Sequence, residues 1–423
     1  MRYYIFGAGL FGINCYHLLK QDYDIIAFID NDKHKIGTSI IDNKRVISVD
    51  ELAHLKEEYF VFITGTYAHE MSNQLEEMGI TNYSFYPCYE YMHGYENKEL
   101  GQRLDKGCRV LFKKIKSLNP DTLNISDYNK KYLRSKGWAQ IFVYARILYT
   151  VLMENPNPDT ILDYGGGTGL LSLLALELGI PNVYYNDIYE VSVDDAREIA
   201  TACGYTRAGY VAGDIDKVID YCSKHKTTFD VVASYDVLEH IYDLRTFFND
   251  LKKTLSRDFV VCMKTGANTY NKEIYDNLAI GHLKIDSLSR NHEYGHKERD
   301  SLNAFFDIRL HIIHCHINEN NLSINEIEAI GLAYTTRGYI KEDICNCVEL
   351  YAKTGKVDPR DFIGAFEFNT CDPLTGNWQE HIIDYEKLTK TCESLGYNTK
   401  ILFDVDKSTS MTLQLVLANK MIF

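Results

Sequence analysis

The sequence predicts an α/β protein in which two separate segments each fold around a glycine-rich turn. The strand pattern YYIFGAGLFG runs into glycines at residues 7–12, and ILDYGGGTG does the same at residues 161–169. In both segments a helical pattern follows, and then a strand that ends in an acid about twenty residues beyond the glycines. This order of strand, glycine turn, helix, strand and acid is typical of a parallel sheet that binds a nucleotide-type ligand.

Composition fits a folded protein of more than one domain. The 423 residues are 45% hydrophobic, which is enough for full cores. The formal net charge of -14 argues against a nucleic-acid partner, which needs a basic surface. The first residues enter a strand rather than a signal peptide, no apolar run approaches the roughly 20 residues of a membrane span, and the cysteines are scattered. We therefore expect a cytoplasmic protein with no nucleic-acid or membrane partner. The oligomeric state stays open.

The first segment, residues 1–92, is predicted to form a small Rossmann-type domain. Gly7, Gly9 and Gly12 allow backbone angles and close approaches that a side chain would block, and the following helix start offers unpaired N–H groups. The next strand, DIIAFID, ends at Asp30, where a carboxylate can accept hydrogen bonds from ribose hydroxyls. The strand patterns YFVFITG and NYSFYP complete the domain.

This first domain resembles the short N-terminal domain of bacterial sugar acetyltransferases and related surface-polysaccharide enzymes. The likeness rests on GAGLFG, AFIDND, KIGTSIIDNKRVIS and FITGT. It implies a bound nucleotide-sugar, while a dinucleotide such as NAD(P) and a scaffold without a ligand remain the alternatives. A nicotinamide reductase of the extended type would be longer, and its Tyr-x-x-x-Lys pair is not found where proton transfer would need it.

Residues 93–135 are polar and read as a connector, and residues 136–423 carry the second α/β domain. A helix is predicted from Trp138 to Met153, before the strand that ends at Asp163. After the glycine turn and its helix, NVYYND is a second strand ending at Asp187. A third is predicted to end within Ala212–Ile215, and FDVVASYDVLEHI is a fourth strand that runs into polar groups and a helix.

With these features in order, the second domain resembles a class I S-adenosylmethionine-dependent methyltransferase. The residues that carry the likeness are D-x-G-x-G-x-G at 163–169, Asp187, Gly213-Asp214 and the SYDVLEH segment. The resemblance implies a seven-stranded sheet and S-adenosylmethionine as the cofactor. It also implies a set of cofactor-binding residues: Asp163, Gly165, Gly167, Gly169, Asp187, Asp214, Ile215, Ser234 and Tyr235.

The remaining strands are interrupted by a long helical segment. DFVVCMKT, at 258–265, is predicted as the fifth strand, and the helical patterns at about 267–360 as an insertion that covers the site and shapes acceptor choice. FIGAFEFNTCDP and NTKILFDV are predicted as two closing strands on either side of a helix at Asp384–Leu395. The sequence therefore predicts a methyltransferase sheet with a helical insertion.

Methyl transfer needs a base only when the accepting atom carries a proton that must leave. Asp236, Glu239 and His240 are predicted to open a helix where an acceptor would dock, with His240 as base and Glu239 orienting it. The acids could also hold a divalent metal, which we do not predict. The alternative is helix capping by Asp236 and a packed His240. His296, with His292, is a further candidate for acceptor binding or for the base.

The favoured function is methylation of a small-molecule acceptor: the hydroxyl, or an amine, of a sugar or nucleotide-sugar in surface polysaccharide biosynthesis. The rival enzyme is a zinc-dependent hydrolase, because HEYGH at 292–296 spells H-E-x-x-H. A nucleotide-sensing binding protein with an inactive methyltransferase half is the alternative without catalysis. Further candidates for lining the acceptor site are Arg337, Asn369, Asp372, Asn377, Trp378 and Glu380.

Overall fold

The computed structural model describes most of the chain and confirms the predicted α/β class. Residues 1–21, 23–64, 67–85, 97–135, 137–290, 301–357, 368–377, 380–407 and 410–418 are described. Their strands form one five-stranded and one seven-stranded sheet. The chain divides into two compact units, residues 1–210 and 211–423. The finer boundaries predicted from the sequence, at 92/93 and 135/136, stay predictions.

The five-stranded sheet lies in the first 85 residues and is parallel throughout. Its strand order is β3-β2-β1-β4-β5, which is the order of the first five strands of a Rossmann fold. The buried side chains Ile5, Phe28 and Phe62 form part of its core. Its elements are β1 (Arg2–Phe6), α1 (Leu10–Leu19), β2 (Ile25–Ile29), β3 (Val46–Ile47), α2 (Val49–Ala53), β4 (Tyr59–Ile63), α3 (Ala68–Glu77) and β5 (Tyr83–Phe85).

Three helices follow: α4 (Lys98–Ser117), α5 (Asp127–Ser135) and α6 (Gly137–Glu154), with a short 3₁₀ turn at Pro120–Thr122. The helix predicted from Trp138 to Met153 is confirmed as α6. In α4, Asp105 accepts a hydrogen bond of 2.7 Å from the Ser84 hydroxyl, and Lys116 forms an ion pair of 2.7 Å with Glu76. The predicted connector therefore contains a helix that is packed against the first sheet.

The seven-stranded sheet has the order β11-β12-β10-β9-β6-β7-β8. β12 runs antiparallel to both of its neighbours, whereas β6 with β7 and β9 with β10 are parallel pairs. This mixed sheet is the one predicted for a class I methyltransferase. Its strands are β6 (Thr160–Tyr164), β7 (Asn182–Asp187), β8 (Gly209–Ala212), β9 (Phe229–Tyr235), β10 (Leu255–Thr265), β11 (Asn398–Lys407) and β12 (Ser410–Ala418).

The helices that connect these strands occur in the predicted order. They are α7 (Leu170–Glu177), α8 (Glu190–Ala202), α9 (Ile215–His225), α10 (Leu244–Leu251) and, in the insertion, α11 (Lys272–Ser287), α12 (Phe305–Asn320), α13 (Glu326–Thr335) and α14 (Lys341–Thr354), followed by α15 (Tyr385–Ser394), which lies close to the helix predicted at Asp384–Leu395. The insertion helices share an apolar core that includes Phe305, Ile313, Leu332 and Val348. Within the described residues, no helix is long and apolar enough to cross a membrane.

One strand prediction is wrong. FIGAFEFNTCDP was expected to be one of the two closing strands, but the strands that complete the sheet, β11 and β12, both follow α15. Residues 362–367 of this segment lie outside the described part of the chain, and residues 368–373 contain no strand. The physical reason is that its polar side chains are buried and bond to other segments: Thr370 donates to Asp286, and Asn369 exchanges hydrogen bonds with the backbone of Ile382. The antiparallel pair β11–β12 needs only a short turn, so both strands fit at the end of the chain.

Candidate active site

The turn after β6 can be built only with glycine. Gly165, Gly167 and Gly169 have φ angles of +67°, +54° and +74°, a region that residues with a side chain rarely adopt. A Cβ atom at Gly166 would lie 2.6 Å from the Tyr185 ring. A Cβ atom at Gly167 would meet nothing within 4 Å, so the turn is open on that side. A close-packed turn with one open side fits a ligand that approaches the backbone.

Asp163, in β6, stabilises this glycine turn. Its side chain is 2% exposed, and its carboxylate accepts a hydrogen bond of 3.0 Å from the backbone N–H of Ser172 in α7. Burial raises the pKa of Asp163 to about 6, although the Ser172 hydrogen bonds and the nearby Arg207 guanidinium oppose that shift. Asp163 therefore holds the strand, turn and helix together, and its predicted contact with the cofactor stays a prediction.

Asp187, the last residue of β7, is bonded to the same turn. One carboxylate oxygen accepts from the Gly167 N–H at 3.0 Å and the other from the Tyr189 N–H at 3.0 Å. A carboxylate has about four acceptor positions, so these bonds do not exhaust its capacity for ribose hydroxyls. Burial raises the pKa of Tyr128, in the predicted connector, and the nearby negative charge of Asp187 raises it further.

Arg207 is a residue that the sequence analysis missed. Its buried guanidinium donates to the Gly169 carbonyl at 2.7 Å, to the Ala196 carbonyl at 2.8 Å and to the Ser172 hydroxyl at 2.9 Å. It thus fixes the end of the glycine turn and the start of α7. No sequence pattern marks it, because it lies in an irregular segment before β8 and its partners are distant in the chain.

In the second unit, Asp214 and Ile215 do not end a strand as predicted. β8 ends at Ala212, and Asp214 is the exposed N-cap of α9, accepting from the Lys217 N–H at 3.4 Å. Ile215 is the first residue of that helix. The strand thus ends at the first residue of the predicted range Ala212–Ile215, and the rest of that range begins the helix, because an acid that caps a helix reads the same as an acid that ends a strand. Their predicted adenine contacts stay predictions.

Ser234 and Tyr235 are the last residues of β9, as expected for side chains at a strand's carboxyl end. Ser234 is fully buried, and its hydroxyl has no hydrogen-bond partner among the residues that the structure describes. Tyr235 is partly exposed. Their contact with the cofactor is neither supported nor contradicted by this placement.

Asp236, Glu239 and His240 do not open an α-helix. Leu238–His240 is a single 3₁₀ turn without a side-chain cap, and α10 begins later, capped by the Asp243 carboxylate. Asp236 instead has a φ of +54°, and its N–H donates to the Lys264 carbonyl at 2.8 Å. The prediction that these residues open a helix, and the alternative that Asp236 caps one, are both wrong because Asp243 supplies the cap.

Asp236 and Glu239 form a close pair of carboxyl groups. Glu239 is 2% exposed, and burial together with the neighbouring Asp236 raises its pKa well above the ordinary value. Burial, followed by the charge of Glu380, raises the pKa of Asp236 to about 6. Asp236 is nevertheless accessible to solvent. A carboxyl group can be both desolvated and accessible when it lies at the bottom of an open concave surface.

Glu380 and His381 are held against this pair by backbone hydrogen bonds. The backbone N–H of His381 donates to the Glu239 carbonyl at 3.0 Å, and the His381 Nδ1 atom meets the same oxygen. Because a carbonyl only accepts, Nδ1 carries the proton. Burial lowers the pKa of His381 to about 3, so this ring is neutral at ordinary pH.

His282, in α11, fixes the other side of Glu380. Its Nδ1 atom accepts from the Thr370 N–H at 3.2 Å, so the ring proton lies on Nε2, which donates to the Glu380 carbonyl at 3.2 Å. Glu380 itself has a φ of +87°, an unfavourable angle for a residue with a side chain. The carboxylate of Glu380 is thus placed by a rigid backbone.

A buried ion cluster lies next to His282. Asp286 accepts from both terminal nitrogens of Arg309, at 2.7 and 3.1 Å, and from Arg337 at 3.1 Å and Thr370 at 2.9 Å. Burial acts against the charged carboxylate, but the Arg309 hydrogen bonds and charge leave the pKa of Asp286 lowered. Arg337, predicted to line the acceptor site, belongs to this cluster.

Several predicted residues lie outside the described part of the chain. These are His296, His292 and the rest of the HEYGH motif, and Trp378. Asp372, within the described part, accepts from the Ser301 and Leu374 N–H groups and so bonds its own loop. In the described ranges, no group of three or more His, Cys, Asp or Glu side chains is arranged to hold a metal ion.

The glycines of the N-terminal domain have local structural causes. A Cβ atom at Gly12 would lie 1.8 Å from the Gly7 carbonyl oxygen, and Gly7 has a φ of +111°. Gly9 is the N-cap of α1 and has open space where a Cβ atom would be. The Asp30 carboxylate accepts from the Ala8 N–H at 2.8 Å.

Asp30 also bonds its own strand end. It accepts from the Asp32 N–H at 2.9 Å and pairs with Lys35 at 3.1 Å. Desolvation raises the pKa of Asp30, but these hydrogen bonds outweigh it and leave the pKa lowered. The acids at the ends of β2 and β7 thus share one arrangement, in which a carboxylate bonds the backbone of the glycine turn. Whether this domain holds a nucleotide stays a prediction.

The fold and the turn at Asp163–Gly169 define the class of a methyltransferase domain, and the comparisons agree. Residues 157–305 match the family described as "Methyltransferase domain", and residues 1–85 match the family described as "C2185-like, N-terminal". Residues 157–305 are therefore similar to a methyltransferase domain. None of the curated proteins matches the chain.

Solved structures similar to this chain are remote methyltransferases. A putative SAM-dependent methyltransferase from Streptococcus mutans is 16% identical over 34% of this chain and 39% of its own, with a TM-score of 0.26. A SAM-dependent methyltransferase from Aquifex aeolicus is 12% identical over 70% and 100%, with a TM-score of 0.35. Magnesium protoporphyrin IX methyltransferase from Synechocystis, with bound SAH, is 13% identical over 73% and 93%, with a TM-score of 0.35. The chain thus spans about two fifths of the Streptococcus protein.

Proposed function

We propose that the protein transfers the methyl group of S-adenosylmethionine to the hydroxyl or amine of a sugar or nucleotide-sugar, in the cytoplasm, for surface polysaccharide biosynthesis. The observation that carries the methyl-transfer part is the turn of Gly165–Gly169, bonded by Asp187, within the stretch that matches the methyltransferase family. The open side of this turn at Gly167 fits a bound cofactor.

The residues of the chain have distinct roles in this proposal. The cofactor supplies a methyl group already activated by the sulfonium charge, so the protein must mainly bind, orient and exclude water. Asp187 binds the ribose hydroxyls, and His240 takes the proton of a hydroxyl acceptor, with Glu239 beside it and His296 as a further candidate. The remaining cofactor contacts are proposed for Asp163, Gly165, Gly167, Gly169, Asp214, Ile215, Ser234 and Tyr235.

The sugar part of the proposal rests on the N-terminal domain. Its parallel sheet has the strand order of the first five strands of a Rossmann fold, and Asp30 lies at the end of β2, beside the glycine turn. The resemblance of this domain to those of surface-polysaccharide enzymes favours a nucleotide-sugar, and NAD(P) is the alternative ligand. A small-molecule acceptor is also consistent with a net charge of -14, which disfavours nucleic acid.

Calorimetry of the full chain with S-adenosylhomocysteine tests the cofactor site. We expect binding by the native protein and a loss of about tenfold to a hundredfold in affinity for Asp187→Ala, because hydrogen bonds to a charged group contribute about 1.5–3 kcal/mol. Asp194→Asn is the matched control, since Asp194 lies on the exposed surface of α8 and pairs only locally with Arg197. Absence of binding heat, or an unchanged affinity in Asp187→Ala, would contradict the proposal.

A further inference from the structure

Apolar side chains are exposed beside Asp187 in the first unit. Ile188, the next residue, is 47% exposed, and Val191, in the first turn of α8, is 41% exposed. Asp187 bonds the N–H of Gly167, which lies on the open side of the glycine turn. These apolar side chains therefore border the proposed cofactor site. Adjacent exposed apolar groups beside such a site indicate a surface that a ligand covers.

A buried acid in α8 fastens the predicted connector to this helix. Asp195 is 3% exposed, and its carboxylate oxygens accept from the Ser126 N–H at 3.0 and 3.2 Å. The carboxylate also accepts from the Ser126 hydroxyl and, at 2.7 Å, from the side-chain amide of Asn129. The Ser126 hydroxyl in turn accepts from the Asn129 N–H at 3.3 Å. Asp195 thus holds the first turn of α5 against α8.

This anchor brings Tyr128 to the side of α8 that carries Val191. Tyr128, which is 50% exposed, lies between the two residues that bond Asp195. Val191 precedes Asp195 by four residues and so lies on the same helix face, one turn closer to Asp187. Partial burial raises the pKa of Tyr128 and the charge of Asp187 raises it further, as expected for a ring on this side of α8. An apolar patch beside Asp187 thus consists of Tyr128, Ile188 and Val191.

We propose that this apolar patch binds the adenine ring of S-adenosylmethionine, with Tyr128 stacking on the ring and Asp195 acting as the positioning residue of Tyr128. This inference rests on the proposed function, in which Asp187 binds the ribose hydroxyls. The adenine ring is joined directly to that ribose, so an adenine site has to lie close to the acid. A tyrosine ring and two branched aliphatic side chains suit a purine, because all three offer apolar contact area and the tyrosine ring can stack on the base.

The proposal gives the predicted connector a role in cofactor binding. The stretch that matches the methyltransferase family begins at residue 157, so Tyr128 lies outside it and Asp195 inside it. A buried carboxylate without hydrogen-bond donors would destabilise the fold, so Asp195 favours a docked connector. The first turn of α5 is therefore in place before a ligand binds, which lowers the entropic cost of binding.

Calorimetry of the full chain with S-adenosylhomocysteine and with methylthioadenosine, which lacks the amino-acid part, tests the adenine assignment. Tyr128→Ala should weaken both ligands by about tenfold, because both contain the adenine ring that loses its stacking partner. Tyr128→Phe should stay within about threefold of the native affinity, because the ring is retained. A loss for S-adenosylhomocysteine alone would place Tyr128 at the amino-acid part of the ligand and overturn the assignment.

Asp195→Asn tests the positioning role. Alone, it should weaken S-adenosylhomocysteine by about tenfold, but it should add little to the loss in Tyr128→Ala, because its effect passes through Tyr128. A merely structural role would add its full cost in the double variant. Asp194→Asn is the matched control, since Asp194 is the exposed neighbour of Asp195 in α8 and pairs with Arg197.

Failure of this inference and failure of the proposed function give different results. Native affinity for S-adenosylhomocysteine in Tyr128→Ala would overturn the adenine assignment and leave the cofactor site itself in place. An equal loss in Tyr128→Phe and Tyr128→Ala would overturn it too, because the hydroxyl rather than the ring face would then bind. If the native protein binds neither ligand, the proposed function fails, and the inference fails with it.

Discussion

At the scale of single residues, the methyltransferase domain contains buried acids that lack full compensation. Asp163 is 2% exposed, and the nearby Arg207 guanidinium compensates the negative charge of its carboxylate only in part. Glu239 is equally buried and faces other acids. Such groups lower the stability of the folded state at neutral pH, and they are found where a protein must bind or move charge. The stability of this protein should therefore depend on pH through a few identifiable residues.

Asp163→Asn should remove part of that dependence. The folded pKa of Asp163, about 6, lies above its usual value of 3.8, so protonation stabilises the folded state. This contribution is fully present below about pH 3.8 and is lost as the pH rises through about 6. Each pKa unit corresponds to about 1.4 kcal/mol. The free energy of unfolding of the native protein should therefore fall by up to roughly 3 kcal/mol as the pH rises, and that of the variant should not.

Urea unfolding of the native protein and of Asp163→Asn between pH 4 and pH 7 measures this difference. The stability of the variant relative to the native protein should rise steadily across the interval. A difference that is constant with pH would show that Asp163 titrates normally in the folded state.

At the scale of elements, the insertion helices are joined to residues 368–377 and to Glu380 by polar bonds as well as by apolar packing. Asp286 of α11 binds Arg309 of α12, Arg337 after α13, and Thr370 of the loop. Arg309 is fully buried. His282, one helical turn before Asp286, holds the Glu380 backbone. The position of Glu380, beside Asp236 and Glu239, therefore depends on α11, a helix that contributes none of these three acids.

Asp286→Asn should destabilise the second unit strongly. Removing one partner of a buried ion pair costs about 3–5 kcal/mol, because the other charge stays buried without compensation. Asp276→Asn is the matched control on the same helix, since Asp276 forms an exposed pair with Lys272 that is worth at most about 1 kcal/mol. Thermal unfolding of both variants distinguishes them, and equal midpoints would contradict a structural role for the buried cluster.

At the scale of the whole molecule, the chain has two glycine turns in two sheets, each bonded by an acid from the second strand of its sheet. Asp30 accepts from Ala8, and Asp187 accepts from Gly167. Shared geometry does not imply a shared ligand, because function depends on the particular site. One turn lies in the stretch that matches the methyltransferase family and is the proposed site for S-adenosylmethionine, and the other is the proposed site for a nucleotide-sugar.

Native mass spectrometry of the purified full chain tests the N-terminal site. We expect a co-purifying species with the mass of a nucleotide-sugar, and its loss in Gly9→Val, because a branched side chain would fill the open space beside the turn. Gly331→Val is the matched control, because Gly331, in α13, has no positive φ and its added Cβ would also meet nothing within 4 Å. A species with the mass of NAD(P) would replace the nucleotide-sugar by the alternative ligand, and no bound species would favour a scaffold.

The sequence alone determined the architecture and the glycine turns. Hydrophobic periodicity and local turn chemistry depend on residues close together in the chain, so β6, α7 and β7 and the positions of Asp163 and Asp187 followed from short patterns. The tertiary structure decided which distant side chains meet. Arg207 at the turn, Glu380 beside Asp236, and the Asp286 cluster join segments that no local pattern relates. NTKILFDV was correctly predicted as β11, but the other closing strand was misplaced, because burial and long-range hydrogen bonding of residues near 370 are not visible in a local pattern.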